Sequence, residues 1–503
     1  MAIIRPPRRS LPIYARPPLQ STPAATGSGG RDTRELGSIA EIAGNTTAPQ
    51  PVPPIVQQSV APVDQFQSTS QSPRQQRQAA RRAAKQARRE VRRANRAARV
   101  ASRRRIIIDP PGGEINHYSA EGFAGEEFTG DASWQTSTIC KIPAANLVAG
   151  EWLFVVHAFV GASTWLDTQE LRLVEDDGTP TVMSYDRTVA DSGIRFRAGA
   201  ATSSLSSGVL TPFMVRRTVT GDSDVVVQMK NPVGTTGRLN HWRVLAIHLD
   251  ELTEGTDYLW GHTDTDNSLD PADTWEDLGV AVSPSEGDDW LFFSSVGTDH
   301  PSGRQISTRF NIDSTMYDMD TQSSYDTNDE HNSFAAFIQE SMPASTCALE
   351  GWVFNNVQTV THASLFALRL NSFKDYHVGA SDTPIVNMNL AGQEIITTTM
   401  SAATQSGNYL MFGSYKDYDG GKINGNWLSK NINAAGEVVI AGDETSAHYE
   451  ELSLVNSTAC LALWSVEDVT ALDEVTLVLD AKPSGSSRDA NFMRLLIMSM
   501  EKA

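Results

Sequence analysis

Two apolar signatures recur three times along the chain. The first joins a glycine to an aromatic-rich run, as Gly150-Glu151-Trp152-Leu153-Phe154-Val155, Gly287-Asp288-Asp289-Trp290-Leu291-Phe292-Phe293 and Gly407-Asn408-Tyr409-Leu410-Met411-Phe412. A continuous apolar run behind a glycine turn predicts a strand buried on both faces or closing a sandwich. The second signature is His241-Trp242-Arg243-Val244-Leu245-Ala246-Ile247-His248-Leu249, then His362-Ala363-Ser364-Leu365-Phe366-Ala367-Leu368-Arg369-Leu370, then Asn491-Phe492-Met493-Arg494-Leu495-Leu496-Ile497-Met498-Ser499-Met500. Near its end apolar residues alternate around a variable one, the period of two of a strand. Shorter β-type runs, including Val225–Met229, Gly351–Phe354 and Val475–Leu479, fall between the signatures, with Gly, Asp, Asn and Ser in the gaps. Such self-similarity predicts one supersecondary unit written three times. The expected fold is mainly β: three tandem antiparallel β-sandwiches of jelly-roll-like type, at 111–253, 254–378 and 379–503.

The front of the chain follows another pattern. Residues 1–72 are rich in Pro, Ser and Gln and show neither helical nor strand periodicity. They predict an extended arm, because too little apolar surface is present to offset the ordering entropy. In 73–105 a stripe of Ala80, Ala84, Ala87, Val91, Ala94, Ala98 and Ala101 recurs at spacings of four and three, which predicts one long basic helix. Its other faces carry Arg81, Arg82, Lys85, Arg88, Arg89, Arg92, Arg93, Arg96 and Arg99. Between residues 71 and 105, 14 Lys+Arg stand against Glu90 alone, so parallel copies repel and the helix seeks negative surroundings. Those nine cations are the candidate anchor to a polyanion or an acidic protein, and the alanine stripe is the candidate packing face.

Charge separates these two parts. Residues 1–110 hold 20 Lys+Arg and 6 Asp+Glu, a net of +14, whereas 111–503 hold 21 and 54, a net of −33. A basic tail and an acidic body face different partners. Cys140, Cys347 and Cys460 are far apart and lie in apolar surroundings, which predicts buried thiols and neither a disulfide framework nor a zinc site. The start, Met1 to Pro7, lacks the apolar run of a secretory leader, and Trp152–Ala162 is too short to span a membrane. The expectation is a protein made in a reducing cytoplasm with no membrane partner.

Motifs for chemistry are sparse. The ten histidines form no His-x-x-x-His pair, and no Gly-x-Ser-x-Gly elbow occurs, so neither metalloprotease nor serine-hydrolase chemistry is predicted. Asp264, Asp266, Asn267 and Asp270, and Asp318, Asp320, Asp326, Asn328 and Asp329, alternate oxygens but lack the glycine and final glutamate of a calcium loop. They read as solvated acidic loops, and no cofactor is expected. Trp260, Trp275, Tyr415, Tyr418 and Trp427 are the aromatics that a carbohydrate-binding face would use, although aromatics more often fill cores.

The Gly-x-Trp-Leu-Phe opening strand and the closing run from Arg243 to Asp250 resemble repeated β-sandwich modules in structural proteins of tailed bacteriophages, such as head or tail fibres and decoration proteins. The resemblance spans about residues 130–503 and rests on hydrophobic pattern, so no catalytic or ligand residue comes with it. It implies a non-enzymatic virion protein, a fibre, spike or decoration, held in the particle by residues 1–105 against capsid, portal or tail proteins. From general fibre practice a homo-oligomer, preferably a trimer, is expected. The alternative is an icosahedral capsid protein whose arginine-rich arm binds packaged genome, and a third class is a glycan-binding or glycan-degrading protein.

Overall fold

The computed structural model describes residues 113–122, 125–162, 168–176, 181–182, 194–197, 208–269, 274–301, 305–323, 327–354, 357–386, 388, 392–418, 422–443, 447–448, 458–483 and 489–503. The arm at 1–72 and the basic helix expected at 73–105 lie outside them. Among the described residues the only helical pieces are single 3-10 turns at Ala144–Asn146 and Leu370–Ser372, and all other regular structure is strand.

The first set of strands is β1 (His117–Gly122), β2 (Glu126–Phe128), β3 (Trp134–Ile142), β4 (Gly150–Ala162), β5 (Thr168–Asp176), β6 (Thr181–Val182), β7 (Ile194–Arg197), β8 (Gly208–Val219), β9 (Asp224–Lys230) and β10 (Gly237–His248). The second is β11 (Tyr258–Thr263), β12 (Asn267–Leu269), β13 (Glu276–Val282), β14 (Trp290–Pro301), β15 (Gln305–Ile312), β16 (Thr315–Ser323), β17 (Thr327–Gln339), β18 (Cys347–Phe354) and β19 (Gln358–Arg369). The third is β20 (Tyr376–Ser381), β21 (Gln393–Met400), β22 (Gly407–Tyr418), β23 (Lys422–Ile432), β24 (Val438–Asp443), β25 (Ala447–His448), β26 (Thr458–Val469), β27 (Val475–Pro483) and β28 (Asp489–Ser499).

One strand order serves all three sets. The inner sheets run β1-β10-β4-β8, β11-β19-β14-β17 and β20-β28-β22-β26. The outer sheets run β3-β9-β5-β6, β13-β18-β15-β16 and β21-β27-β23-β24. Two slender links join sheets of different sets: β25 pairs parallel with β8 over two residues, and Thr321 of β16 pairs with Thr458 of β26.

The opening and closing signatures are the two central strands of each inner sheet. They pair antiparallel in one register: Trp152 opposite His248, Trp290 opposite Arg369, Tyr409 opposite Ser499. The signature glycine has a positive φ in all three copies, with open space beside Gly287 at +80° and a side chain close by at the other two. Gly150 sits at φ +143°, and a Cβ there would come within 2.2 Å of the Asp250 carboxylate, while one at Gly407 would lie 2.5 Å from that of Glu114.

Each inner sheet is buried on both faces. Trp152, Phe154 and Val156 of β4 pack inside the first sandwich with Cys140, Leu173 and Val227 of its outer sheet. Tyr409, Met411, Leu495 and Ile497 do the same in the third with Leu428 and Leu477. The alternate residues, Leu153, Val155, Leu245 and Ile247 of the first set and Leu410, Phe412, Trp464, Leu496 and Met498 of the third, join the core of the second set in one continuous apolar cluster. The three inner sheets therefore meet around a shared centre. Phe293 marks it, its ring 5.8 Å from Phe412, 6.0 Å from Phe334 and 6.4 Å from Phe366.

Candidate functional site

The anchor cations Arg81, Arg82, Lys85, Arg88, Arg89, Arg92, Arg93, Arg96 and Arg99 and the packing stripe Ala80, Ala84, Ala87, Val91, Ala94, Ala98 and Ala101 lie outside the described residues. Within the described chain, polar chemistry concentrates at the shared centre, where the signature register brings equivalent cross-strand pairs together: His157 with Arg243, Ser295 with Ser364, and Ser414 with Arg494. All six residues are buried.

Each pair reaches out of its own sandwich or ties down its own sheet. The His157 ring stands edge-on to Phe334 of β17 at 4.9 Å and to Trp464 of β26 at 4.5 Å. Arg243 Nη2 lies 3.3 Å from Glu121 Oε1, its Nη1 donates to the Ala462 carbonyl at 3.4 Å, and its guanidinium covers Trp464. Arg494 repeats the device one seam along: Nε donates to the Ile338 carbonyl at 2.9 Å, Nη1 meets Asp382 at 2.7 Å, and the guanidinium lies over Phe337 at 4.3 Å. Ser414 Oγ donates to the Ala336 carbonyl at 3.2 Å. Ser364 lies 2.8 Å from His262 Nδ1, and His262 Nε2 lies 2.6 Å from Asp264. At the remaining seam Arg216 of β8 meets Glu151 and Glu254, each at 2.8 Å. Burial, then Arg243 and His241, hold the His157 imidazole well below its ordinary pKa, so the ring is neutral at pH 7.

A second convergence lies at the end of the bundle where the opening strands begin. Residues 500–502 touch the entry segments of all three sandwiches. Ile115 N donates to the Met500 carbonyl at 2.9 Å, Lys502 N to Gly113 at 3.1 Å and Lys374 N to Glu501 at 3.0 Å. Lys502 Nζ completes the set 2.6 Å from Asp257. Glu114 accepts from Asn408 N at 2.9 Å and from its Nδ2 at 2.6 Å. The segment leading back to residues 1–112 therefore joins the body at this end.

The other candidates do not converge. Among the described residues no three His, Cys, Asp or Glu side chains are grouped to hold a metal ion. Asp264 is taken by His262, and the side chains from Asp318 onward in the second acidic cluster lie outside the described ones. Of the aromatics, Tyr415 is buried in the third sandwich and donates to Asn426. Trp260 stacks on His262, and Trp275 packs on Trp352 of the second sandwich's outer sheet. They form no common platform. The three cysteines are free and buried, and burial pushes the Cys140 and Cys347 thiols up. Among the described residues no helix is long and apolar enough to cross a membrane.

The sequence signal for the central pairs is an arginine interrupting an apolar strand. It stands at the same step in two closing strands, Arg243 and Arg494. Aligning the signatures on pattern alone obscures this, whereas the cross-strand register makes the two residues equivalent.

No protein-family model and no curated protein sequence matches the chain. Among solved structures it is similar to an archaeal-virus protein described by its triple jelly roll fold and turret assembly, at 8% identity and TM-score 0.16 over 70% of this chain and 81% of that one. It is also similar to the subviral particle protein of infectious bursal disease virus, at 8% identity and TM-score 0.18 over 79% and 84%. A third is the PBSX exported protein XepA, at 8% identity and TM-score 0.16 over 51% and 88%. The structural resemblance to proteins of virus particles is weak, and scores this low carry no weight for function.

Proposed function

We propose that the chain is a virion structural protein: three jelly rolls merged into one trimer-like block, tied into the particle by its basic arm. The strand order supports the jelly-roll assignment, because the eight main strands of each set divide into two four-stranded sheets that the chain visits in turn, with β2, β7, β12 and β25 as short additions. The carrying observation is that each inner sheet gives one whole face to the other two sandwiches. Sandwiches strung out as a projecting fibre would leave that face in water, so the packing favours a block seated in or on a shell. The buried pairs around Arg243 and Arg494 favour one seating of the three units, since any other takes from each buried guanidinium the carbonyl that a neighbouring sandwich supplies. The acidic body stays soluble, and residues 1–105 supply the contact with capsid, portal or tail protein.

Counting chains per purified particle by quantitative mass spectrometry, with their positions mapped by electron cryomicroscopy, tests this. Hundreds of copies in a continuous layer identify a shell protein, and a few dozen at discrete sites a decoration or spike. Absence from particles overturns the proposal.

A further inference from the structure

The outer sheets carry one row of side chains that differs in the third sandwich. Its register is set at one end by buried pairs: Ile142 with Val225, Val282 with Cys347, and Met400 with Val475. Five residues on from Val225, Cys347 and Val475 stand Lys230, Trp352 and Asp480. In the first sandwich the row reads Trp134, Lys230, Glu170 across β3, β9 and β5. Lys230 lies 3.5 Å from Glu170, and Arg172 stacks 4.1 Å from the centre of Trp134 while bonding Gln228 at 2.8 Å. In the second sandwich Trp275 lies against Trp352, and Arg309, equivalent to Arg172, stacks 4.0 Å from Trp275 and bonds Glu350 at 2.6 Å. Both rows contain a guanidinium on an aromatic ring, with an acceptor beside it.

The third row reads Glu394, Asp480, Trp427. Two carboxylates stand directly opposite each other, an arrangement that is unfavourable without a counter-charge. The arginine position is Ser429, paired with Val478 as Arg172 pairs with Gln228. Ser429 is wholly buried and its hydroxyl has no hydrogen-bond partner among the described residues. Neither Asp480 nor Glu394 has an ion pair there. The aromatic ring and the acceptors are present, and among the described residues no cation accompanies them.

We infer that the cation comes from the basic segment 73–105 of this same protein, whose arginines dock on the outer sheet of the third sandwich at Asp480, Glu394 and Trp427. The charge balance of that segment, 14 Lys+Arg against one Glu over residues 71–105, supplies what the row lacks. Burial, then Glu437 and Glu394, push the Asp480 carboxyl up to about 6, as the same geometry requires. The docking does not depend on the particle proposal, because it concerns only where the arm rests.

The test is limited tryptic digestion of the full-length chain, scoring the rate of cleavage within residues 73–105. Two variants should release the segment: Asp480→Asn with Glu394→Gln removes the acceptors, and Glu394→Trp with Ser429→Arg installs the stack found in the other two sandwiches. Cleavage should accelerate about tenfold in both, as expected for losing one charge-assisted contact. A control of equal charge change, Glu286→Gln with Asp313→Asn, should cleave at the wild-type rate, and melting temperatures no lower than that of the wild type show that the body is intact. Equal rates in all four chains overturn the inference. Protection that nuclease abolishes, and that neither pair of substitutions affects, assigns the segment to nucleic acid and overturns it equally.

Discussion

Strand β4 of an inner sheet buries Trp152, Phe154 and Val156 on one face and Leu153 and Val155 on the other, whereas β13 of an outer sheet buries Leu278, Val280 and Val282 and exposes Gly279 and Ala281 between them. The inner strand has two apolar partners and cannot vary on either side. The outer strand keeps one face for water, and that face is where the three sandwiches diverge. Likeness among the units is thus a property of their inner sheets, and individuality a property of their outer ones.

The largest expected effect tests the shared centre. Phe293→Ala empties a site lined by Phe334, Phe366 and Phe412 and should cost about 3–5 kcal/mol in urea denaturation. Val438→Ala, half-exposed on an outer sheet, should stay within about 0.5 kcal/mol. Equal costs would mean that the inner sheets are not what holds the units together.

Next comes the buried charge. Arg243→Ala leaves Glu121 buried without its guanidinium and should cost about 3 kcal/mol, while Arg243→Met with Glu121→Gln should recover most of that loss. The same measurement separates a seating device from a simple contribution to stability: the double variant should keep its stability and lose the single sharp transition of the three-unit body.

A smaller effect depends on pH. The folded state keeps His157 neutral while the unfolded chain takes up a proton near pH 6.5, so stability is present above that pH and lost as pH falls through it. Between pH 6.5 and about 5.5 the loss should be about 1 kcal/mol, and His157→Gln should flatten this part of the profile.

The smallest effect belongs to the outer row and has the opposite sense. Asp480 holds its proton up to about pH 6 when folded, against 3.8 as its ordinary value, so its ionisation destabilises the body above about pH 6 and the penalty vanishes below 3.8. Asp480→Asn should raise stability at pH 7.5 by no more than about 1 kcal/mol, after discounting for solvent screening, and change nothing near pH 3.5.

This contrast also explains what the sequence reveals. The runs Trp152–Val156 and Trp290–Phe293 announce themselves because double-sided burial removes polar residues from both alternations, so the repeat, the β class and the paired signatures can be read directly. Strand β15, Gln305-Ile306-Ser307-Thr308-Arg309-Phe310-Asn311-Ile312, is equally structural yet carries little signal, since its outward residues answer to local partners such as Trp275 and Glu350. The seating of one sandwich on another leaves no periodic trace. Leu153 and Trp152 look alike in sequence, and only the fold sends one toward the shared centre and the other into its own sandwich. Trp260, Trp275 and Tyr415 fail to form a common face for the same reason: aromaticity is visible in a sequence, and direction is not.

The contact between Ile115 and Met500 closes a loop of 385 residues, at an entropic cost of roughly 5 kcal/mol on chain-length scaling alone. The first and third sandwich cores, by contrast, are assembled from residues closer in sequence, within 118–246 and 385–497. The order of events during synthesis follows from this difference. Each unit can condense as it leaves the ribosome, but the entry segment of the first waits for the third unit, Glu114 for Asn408 and Ile115 for Met500. The arrival of the third unit is therefore registered at the entry of the first, where Glu114 and Ile115 gain their partners only once β22 and β28 are in place.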